Sequence, residues 1–526
     1  MDTVSGSFRQ KTARGALVSS GAQVVSFILR TFSMVVLARL LLPKDFGLVG
    51  MVTSATGFIG LFRDAGLSLV TIQRDSITKE HVSMLFWVNL AVGCILAALS
   101  AAMAPALVAF YHEPSLFWMT VAIGTAFIFN GATAQHRALL QRNMRFLELA
   151  LIDTVSSAIS IVVGIIMAAA GCGYWALVGM IIGQAALSSC GTWLTGGWVP
   201  GVPRLLPGIG SMLRFGGTVS LNSVLAYLAY GTDKILLGRF WGAEMLGIYG
   251  RAYQLANLPT ENLNSTLGLV AFPALSRLQN EPSRLRSYFL KGYTLFLSLS
   301  MPISMSIALF ADDIVLVFLG PRWHEATAIF RLLAPTVMAF GLINPFSWLI
   351  LATGQVQRSL RMALIITPVI IFGYALGLSR GPSGVAAGFS ITMLLLIVPF
   401  LLWARHGTAI TTRDIFRAAM IPLVSVGAAA LPTIAAYGLF EQISPPFFRL
   451  LTSTSSFFAI YLLVLLFVMR QRSLFQGFLR QLGLWPLAGR TAVQGRSFQP
   501  DDQRTLPRSH LGDQPYSASK DSLQRR

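Results

Sequence analysis

The sequence predicts an all-α integral membrane protein of about fourteen transmembrane helices, built as two related halves. Three observations predict it. The 526 residues are 54% hydrophobic and only 12% charged, with a mean hydropathy of +0.65, whereas a soluble chain carries about 25% charged residues. The apolar residues gather into runs of roughly 20 or more, the length that crosses a bilayer as a helix. The chain also repeats itself. Leu37–Met51 reads LARLLLPKDFGLVGM and Leu237–Arg251 reads LGRFWGAEMLGIYGR, with identities at Leu37/Leu237, Arg39/Arg239, Gly47/Gly247 and Gly50/Gly250, all 200 residues apart. Such self-similarity in a membrane chain means two related halves with a ligand path between them.

The apolar runs fall at about 15–41, 46–70, 81–110, 116–138, 148–170, 174–196, 211–238, 244–269, 287–310, 326–352, 359–379, 384–404, 415–438 and 447–470. With both termini on one side, the connections of that side hold nineteen Lys and Arg, from Arg9 to Arg417, against five on the other: Lys44, Arg239, Arg322, Arg380 and Arg449. The positive-inside rule then places both ends in the cytoplasm, and much of the +19 net charge is orientation, not a nucleic-acid patch. The start shows no cleavable leader pattern. The expected organisation is a cytoplasmic N-terminus (1–14), an N-lobe (15–200), a C-lobe (201–410), helices 13 and 14 (411–470), an amphipathic interfacial segment (471–488) and a disordered basic cytoplasmic tail (489–526).

Ten charges lie inside predicted spans: Arg30, Arg39, Arg63, Lys234, Arg251 and Arg331, with Asp64, Asp153, Asp233 and Glu261. A charge at the bilayer centre costs about 2.5–3.5 kcal/mol on insertion scales, so such side chains face other helices, water or the interface. In the first helix Ser19, Gln23, Ser26, Arg30 and Ser33 share one face. At the 200-residue offset, Ser223, Tyr227, Tyr230 and Lys234 form the matching stripe of the seventh, and Gln254, Asn257, Glu261 and Asn264 continue it in the eighth, where Pro259 is expected to kink the helix. Two cationic stripes facing one axis would enclose a hydrated chamber. Arg39, Arg63 and Arg331 sit near span ends, where they can snorkel to the interface. Asp233 is expected to pair with an arginine across the bundle, and Asp153 to join Ser156, Ser157 and Ser160 in an interhelical hydrogen-bond site.

No Walker loop, HExxH, GxSxG or CxxC pattern occurs, the six histidines are scattered, and Cys94, Cys172 and Cys190 are far apart. No catalytic or metal-binding residues and no cofactor are expected, so the chain is not read as an enzyme. A mover of solutes without nucleotide binding works on an ion gradient, Na+ or H+, or equilibrates its substrate.

The segments Thr12–Gln23 (TARGALVSSGAQ), Leu37–Met51, Leu61–Gln73 (LFRDAGLSLVTIQ), Leu139–Phe146 (LLQRNMRF) and Gly231–Pro259 resemble the Wzx-type polysaccharide repeat-unit flippases of the multidrug/oligosaccharidyl-lipid/polysaccharide (MOP) exporter superfamily. The resemblance implies a V of two six-helix lobes with two added helices, as in the MATE branch. It also implies a function: moving undecaprenyl-diphosphate-linked oligosaccharide from inner to outer leaflet for exopolysaccharide, capsule or O-antigen (lipopolysaccharide) synthesis, beside a polymerase and a chain-length regulator. On this reading Arg30, Lys234, Arg251, Gln23, Tyr230 and Asn257 meet the diphosphate and sugars, because guanidinium and ammonium groups suit phosphate oxygens. Asp64, Asp233 or Glu261 would bind the coupling ion. The alternatives are a drug/cation antiporter of the same superfamily and a peptidoglycan lipid precursor flippase.

Overall fold

The computed structural model describes residues 2–63, 68, 71–72, 77–202, 209–436, 438, 445–472 and 475–476, with backbone alone for 2–20, 209–223 and 356. Among these residues there are fourteen long helices. They are α1 (Asp2–Leu40), α2 (Pro43–Gly60), α3 (Lys79–Tyr111), α4 (Leu116–Arg142, interrupted at Thr125), α5 (Phe146–Ala169) and α6 (Trp175–Gly196). The helical run Ile209–Arg277 is divided by Gly242, whose φ of 79° and ψ of −179° are open only to glycine, into α7 (209–241) and α8 (243–277). There follow α9 (Pro282–Leu309), α10 (Ala326–Ala352), α11 (Val356–Leu378), α12 (Gly381–Arg405), α13 (Thr412–Ala435) and α14 (Pro446–Leu463). Between α9 and α10 stand a short helix, Ala311–Phe318, and a 3-10 turn, Pro321–Trp323.

Eleven helices among the described residues are long and apolar enough to cross a membrane by length and composition. The exceptions are α2, α7 and α8, which pack on one another between the two halves. Polar residues in such helices are tolerable where they pack on protein. In α8 the helix continues past Pro259, and the non-helical backbone of this run is at Gly242, between α7 and α8. Neighbouring helices and the absence of competing water hold such prolines in membrane helices.

The residues up to Phe475 form one compact unit. Within it α1–α6 pack as an N-lobe (α1 on α5, α3 on α4, α4 and α5 on α6) and α7–α12 as a C-lobe, with α10 central against α8, α9 and α12. Helices α13 and α14 pack on α9 and on each other. One apolar cluster runs through both lobes: Leu37, Phe46, Met51 and Leu116 of the N-lobe with Leu246, Tyr249, Trp323 and Phe330 of the C-lobe. It gathers around the α1–α2 and α7–α8 turns, hereafter the corner face; the opposite face is the basic face. The predicted segment 471–488 and tail 489–526 lie outside the described residues apart from 471–472 and 475–476.

Candidate functional site

The two repeat segments meet. A methyl group placed on Gly47 would fall 1.5 Å from the Ala243 carbonyl oxygen, and one on Gly247 would fall 1.9 Å from the Pro43 carbonyl oxygen. Gly47 and Gly247 are equivalent, as are Pro43 and Ala243, so the two contacts are the same contact seen from either lobe. Only glycine lets the N-terminal turns of α2 and α8 cross backbone to backbone. Around this crossing the corner face is sealed. Trp323 donates its indole N–H to the Ala38 carbonyl at 2.8 Å and packs against Phe46 with ring centroids 5.5 Å apart. Arg39 donates to the Val317 carbonyl at 2.8 Å, and the Arg251 guanidinium lies 3.8 Å over the Phe46 ring. Further along α2, the Tyr227 hydroxyl donates to the Ser54 carbonyl at 2.6 Å.

Beyond that seam the charges converge. Lys234 of α7 and Arg30 of α1 are the charges that act on Glu261 of α8. Arg30 and Glu261 are exposed and Lys234 is half-buried. None of the three charged groups has a hydrogen-bond or ion-pair partner among the described residues; the nearest fixed neighbour of the Lys234 ammonium is the Tyr253 ring, 5.7 Å from its centroid. Arg30 lies ten residues from the end of α1, about 15 Å below the corner face. Three helices from two lobes thus bring two cations and one carboxylate, none with a bonded partner among the described residues, within electrostatic range of one another. On the basic side of this cluster Thr266 donates to the Gln23 side-chain oxygen at 3.2 Å, joining α8 to α1.

Behind Lys234 the C-lobe holds a box of aromatic rings. Tyr230, Tyr253, Tyr374 and Phe340 all contact Phe389 at centroid distances of 5.0–6.5 Å. Tyr230 is 39% exposed and is one helical turn from Lys234 on the same face of α7. Asp233 is wholly buried in this box, where it accepts a hydrogen bond from the Tyr249 hydroxyl at 2.9 Å and one from the Lys234 backbone N–H at 2.8 Å.

Of the residues singled out in the sequence, Arg30, Lys234 and Glu261 lie within electrostatic range of one another, Tyr230 stands one turn from Lys234, and Gln23 bonds to Thr266. Arg251 stands in the seam, where it also donates to Gln254 at 2.5 Å. Asn257 is buried, donating to the Tyr253 carbonyl at 3.1 Å, with its side-chain oxygen unpartnered. Tyr227 belongs to the seam and not to the chamber. Asp64 lies outside the described residues, as do the side chains of Ser19 and Ser223. Two expected pairings are corrected. Asp233 meets a tyrosine, not an arginine. Asp153 forms a two-pronged ion pair with Arg137, at 2.6 and 2.8 Å, instead of joining the serines, so Arg137 lies within the helix bundle. Arg331 pairs with Asp312 at 2.6 Å. Trp323 and Arg39, which fasten the lobes, carried no sequence signal beyond the latter's place in the repeat.

The family described as polysaccharide biosynthesis protein matches residues 36–328. The chain is similar to the lipopolysaccharide biosynthesis protein WzxC of Escherichia coli (strain K12), 26% identical over 74% of this chain and 80% of that protein. It is also similar to a membrane protein of the cps region of Klebsiella pneumoniae, 27% identical over 80% of this chain and 87% of that one. Its fold is shared with the lipid II flippase MurJ in an inward closed conformation, with a TM-score of 0.70 at 15% identity, over 89% of this chain and 99% of that one.

Proposed function

The chain belongs to the polysaccharide biosynthesis protein family, and from that premise we propose that it flips undecaprenyl-diphosphate-linked oligosaccharide repeat units across the bacterial cytoplasmic membrane, inner leaflet to outer. The observation that carries the proposal is the convergence of Arg30 and Lys234, from different lobes, on a space where neither has a fixed counter-charge beyond Glu261. A diphosphate is the most costly part of such a substrate to bring through a low-dielectric layer, and paired cations held by opposite lobes offset that cost. The polyprenyl tail stays among acyl chains, and the sugars travel through the inter-lobe space beside Tyr230 and Gln23. The names of relatives, which speak of lipopolysaccharide and of a lipid-linked precursor, agree in chemistry with this cargo.

Transport proceeds by alternating access. The corner face is the outer one, closed here, and the basic face with both termini is cytoplasmic. Opening requires the glycine crossing and the Trp323 and Arg39 hydrogen bonds to part. A diphosphate arriving between Arg30 and Lys234 takes over the electrostatic field that these cations exert on Glu261, and the carboxylate then takes up a proton from solution or holds the coupling cation, releasing it when the diphosphate leaves. Asp233 is the second candidate. Among the described residues no three His, Cys, Asp or Glu side chains assemble a metal site; one carboxylate ringed by tyrosines fits a proton better than a metal ion. The product is delivered to the polymerase and its chain-length regulator.

The test is reconstitution of the chain into vesicles with a defined, fluorescent undecaprenyl-diphosphate oligosaccharide. Leaflet exchange should exceed that of empty vesicles, respond to a pH gradient, and fall to background when Arg30 and Lys234 are both changed to Ala. Export of a cationic dye with no exchange of the lipid-linked sugar would instead identify a drug antiporter.

A further inference from the structure

A second polar site lies away from the inter-lobe space. Between the C-lobe and α13, at the corner face, is a cavity of about 350 Å3 whose apolar walls include Leu309, Phe310, Thr433 and Ile434 and whose polar end is the Arg331–Asp312 pair. The volume is at the low end of those that hold small organic groups. Helix α13 belongs to neither lobe and packs on α9 and α14. Its residues Leu431 and Ile434, at the corner end, are 72% and 56% exposed, so this end of the cavity opens among acyl chains and not toward the inter-lobe space. Arg331 is five residues into α10, about 8 Å from its start, at the depth of the headgroup layer.

The pair is incompletely used. The Arg331 Nη2 donates to Asp312 Oδ2 at 2.6 Å and its Nε to the Ala308 carbonyl at 3.3 Å, while Nη1 and Asp312 Oδ1 have no partner among the described residues. Both side chains are about half exposed, at 48% and 59%. The result is a cationic donor and an anionic acceptor side by side at the mouth of an apolar crevice. We propose that this crevice binds a phospholipid with a phosphoethanolamine headgroup, its phosphate taking Arg331 Nη1, its ammonium taking Asp312 Oδ1, and its glycerol and first acyl carbons lying against Leu309 and Ile434.

The arrangement selects among membrane lipids. A glycerol headgroup brings the phosphate but leaves Asp312 facing it without a cation. A choline headgroup brings the positive charge but has no N–H to donate. The bound lipid joins α13 to α9 and α10 at the corner face, where the cavity otherwise separates them.

The experiment is native mass spectrometry of the full chain released from nanodiscs containing equal amounts of phosphatidylethanolamine, phosphatidylglycerol and phosphatidylcholine. The wild-type chain should retain one phosphatidylethanolamine at least fivefold more often than either other lipid. Arg331→Ala and Asp312→Asn should each abolish that preference, and Arg322→Ala, a basic residue at the same face but outside the cavity, should keep it. Equal retention of the three lipids by the wild-type chain overturns the proposal without reference to any variant. So does an unchanged preference in Arg331→Ala. Each variant's thermal unfolding in detergent is followed alongside, so that loss of the fold is distinguished from loss of the lipid.

Discussion

The glycine crossing supplies the sharpest prediction. In Gly47→Ala the added methyl would stand 1.5 Å from the Ala243 oxygen, 2.4 Å from its carbonyl carbon and 2.9 Å from its Cα. All three atoms are backbone, so no rotamer change relieves the clash. Restoring a van der Waals separation of about 3.5 Å moves the two backbones about 2 Å apart. Overpacking of this kind costs about 1–3 kcal/mol, and here the cost falls only on the state in which the corner face is shut. The population open at that face should therefore rise by about 5- to 150-fold. The assay replaces Cys94, Cys172 and Cys190 by Ser and places a reporter cysteine at Leu41, which is 2% exposed in the sealed face. Its rate of modification by a membrane-impermeant maleimide then reads the open population. Gly47→Ala and Gly247→Ala should both accelerate it. Gly250→Ala is the control: it is one of the repeat glycines, but a methyl there meets nothing within 4 Å. Labelling at the wild-type rate in Gly47→Ala, or equal acceleration in Gly250→Ala, refutes the reasoning.

Other outcomes follow from the same geometry. Arg30→Ala or Lys234→Ala should remove surface polysaccharide in a complemented deletion strain while leaving protein level and membrane insertion normal, as read by glycan staining and immunoblot. Trp323→Phe keeps the ring against Phe46 but loses the hydrogen bond to Ala38, worth about 1 kcal/mol, so the Leu41 cysteine should label about fivefold faster. In the Arg137–Asp153 pair, each side chain removed singly should lower the thermal midpoint in detergent by the equivalent of about 1–3 kcal/mol, between the surface and buried limits for ion pairs. The double Ala variant should recover part of that loss, and strict additivity would mean that the pair is not coupled.

Much of the fold was legible because a bilayer imposes length and hydropathy on every spanning helix. The 326–352 run, for example, coincides with α10. The repeat was legible as two halves, but not the fact that its identical glycines touch. Helical periodicity fixes which residues share a face and leaves open which neighbour that face meets. The same limit explains Tyr227 and Arg251. Tyr227 lies on a predicted polar stripe and Arg251 was singled out for its charge, yet one bonds to the α2 backbone at Ser54 and the other covers the Phe46 ring. Arg30 and Lys234 were readable together because each lies on a polar stripe, and the two stripes are related by the 200-residue offset. The partner of Arg137 was hidden for a different reason: the residue lies five positions from the end of α4, and only the fold brings Asp153 of the next helix opposite it. The roles of Trp323 and Arg39 depend on contacts between segments more than 270 residues apart, which local sequence does not encode.

The polarity of α2, α7 and α8 also bears on how the protein is made. A helix that partitions poorly into lipid by itself needs a partner already in place when it leaves the insertion machinery. Helix α2 emerges next to α1 and before the rest of the N-lobe, so its polar side must wait near protein or water until α7 and α8 arrive about 200 residues later. Biogenesis thus has a built-in order and a vulnerable interval. A truncation after α6 should leave a half-molecule that is prone to proteolysis, and co-expression of the second half as a separate polypeptide should rescue it.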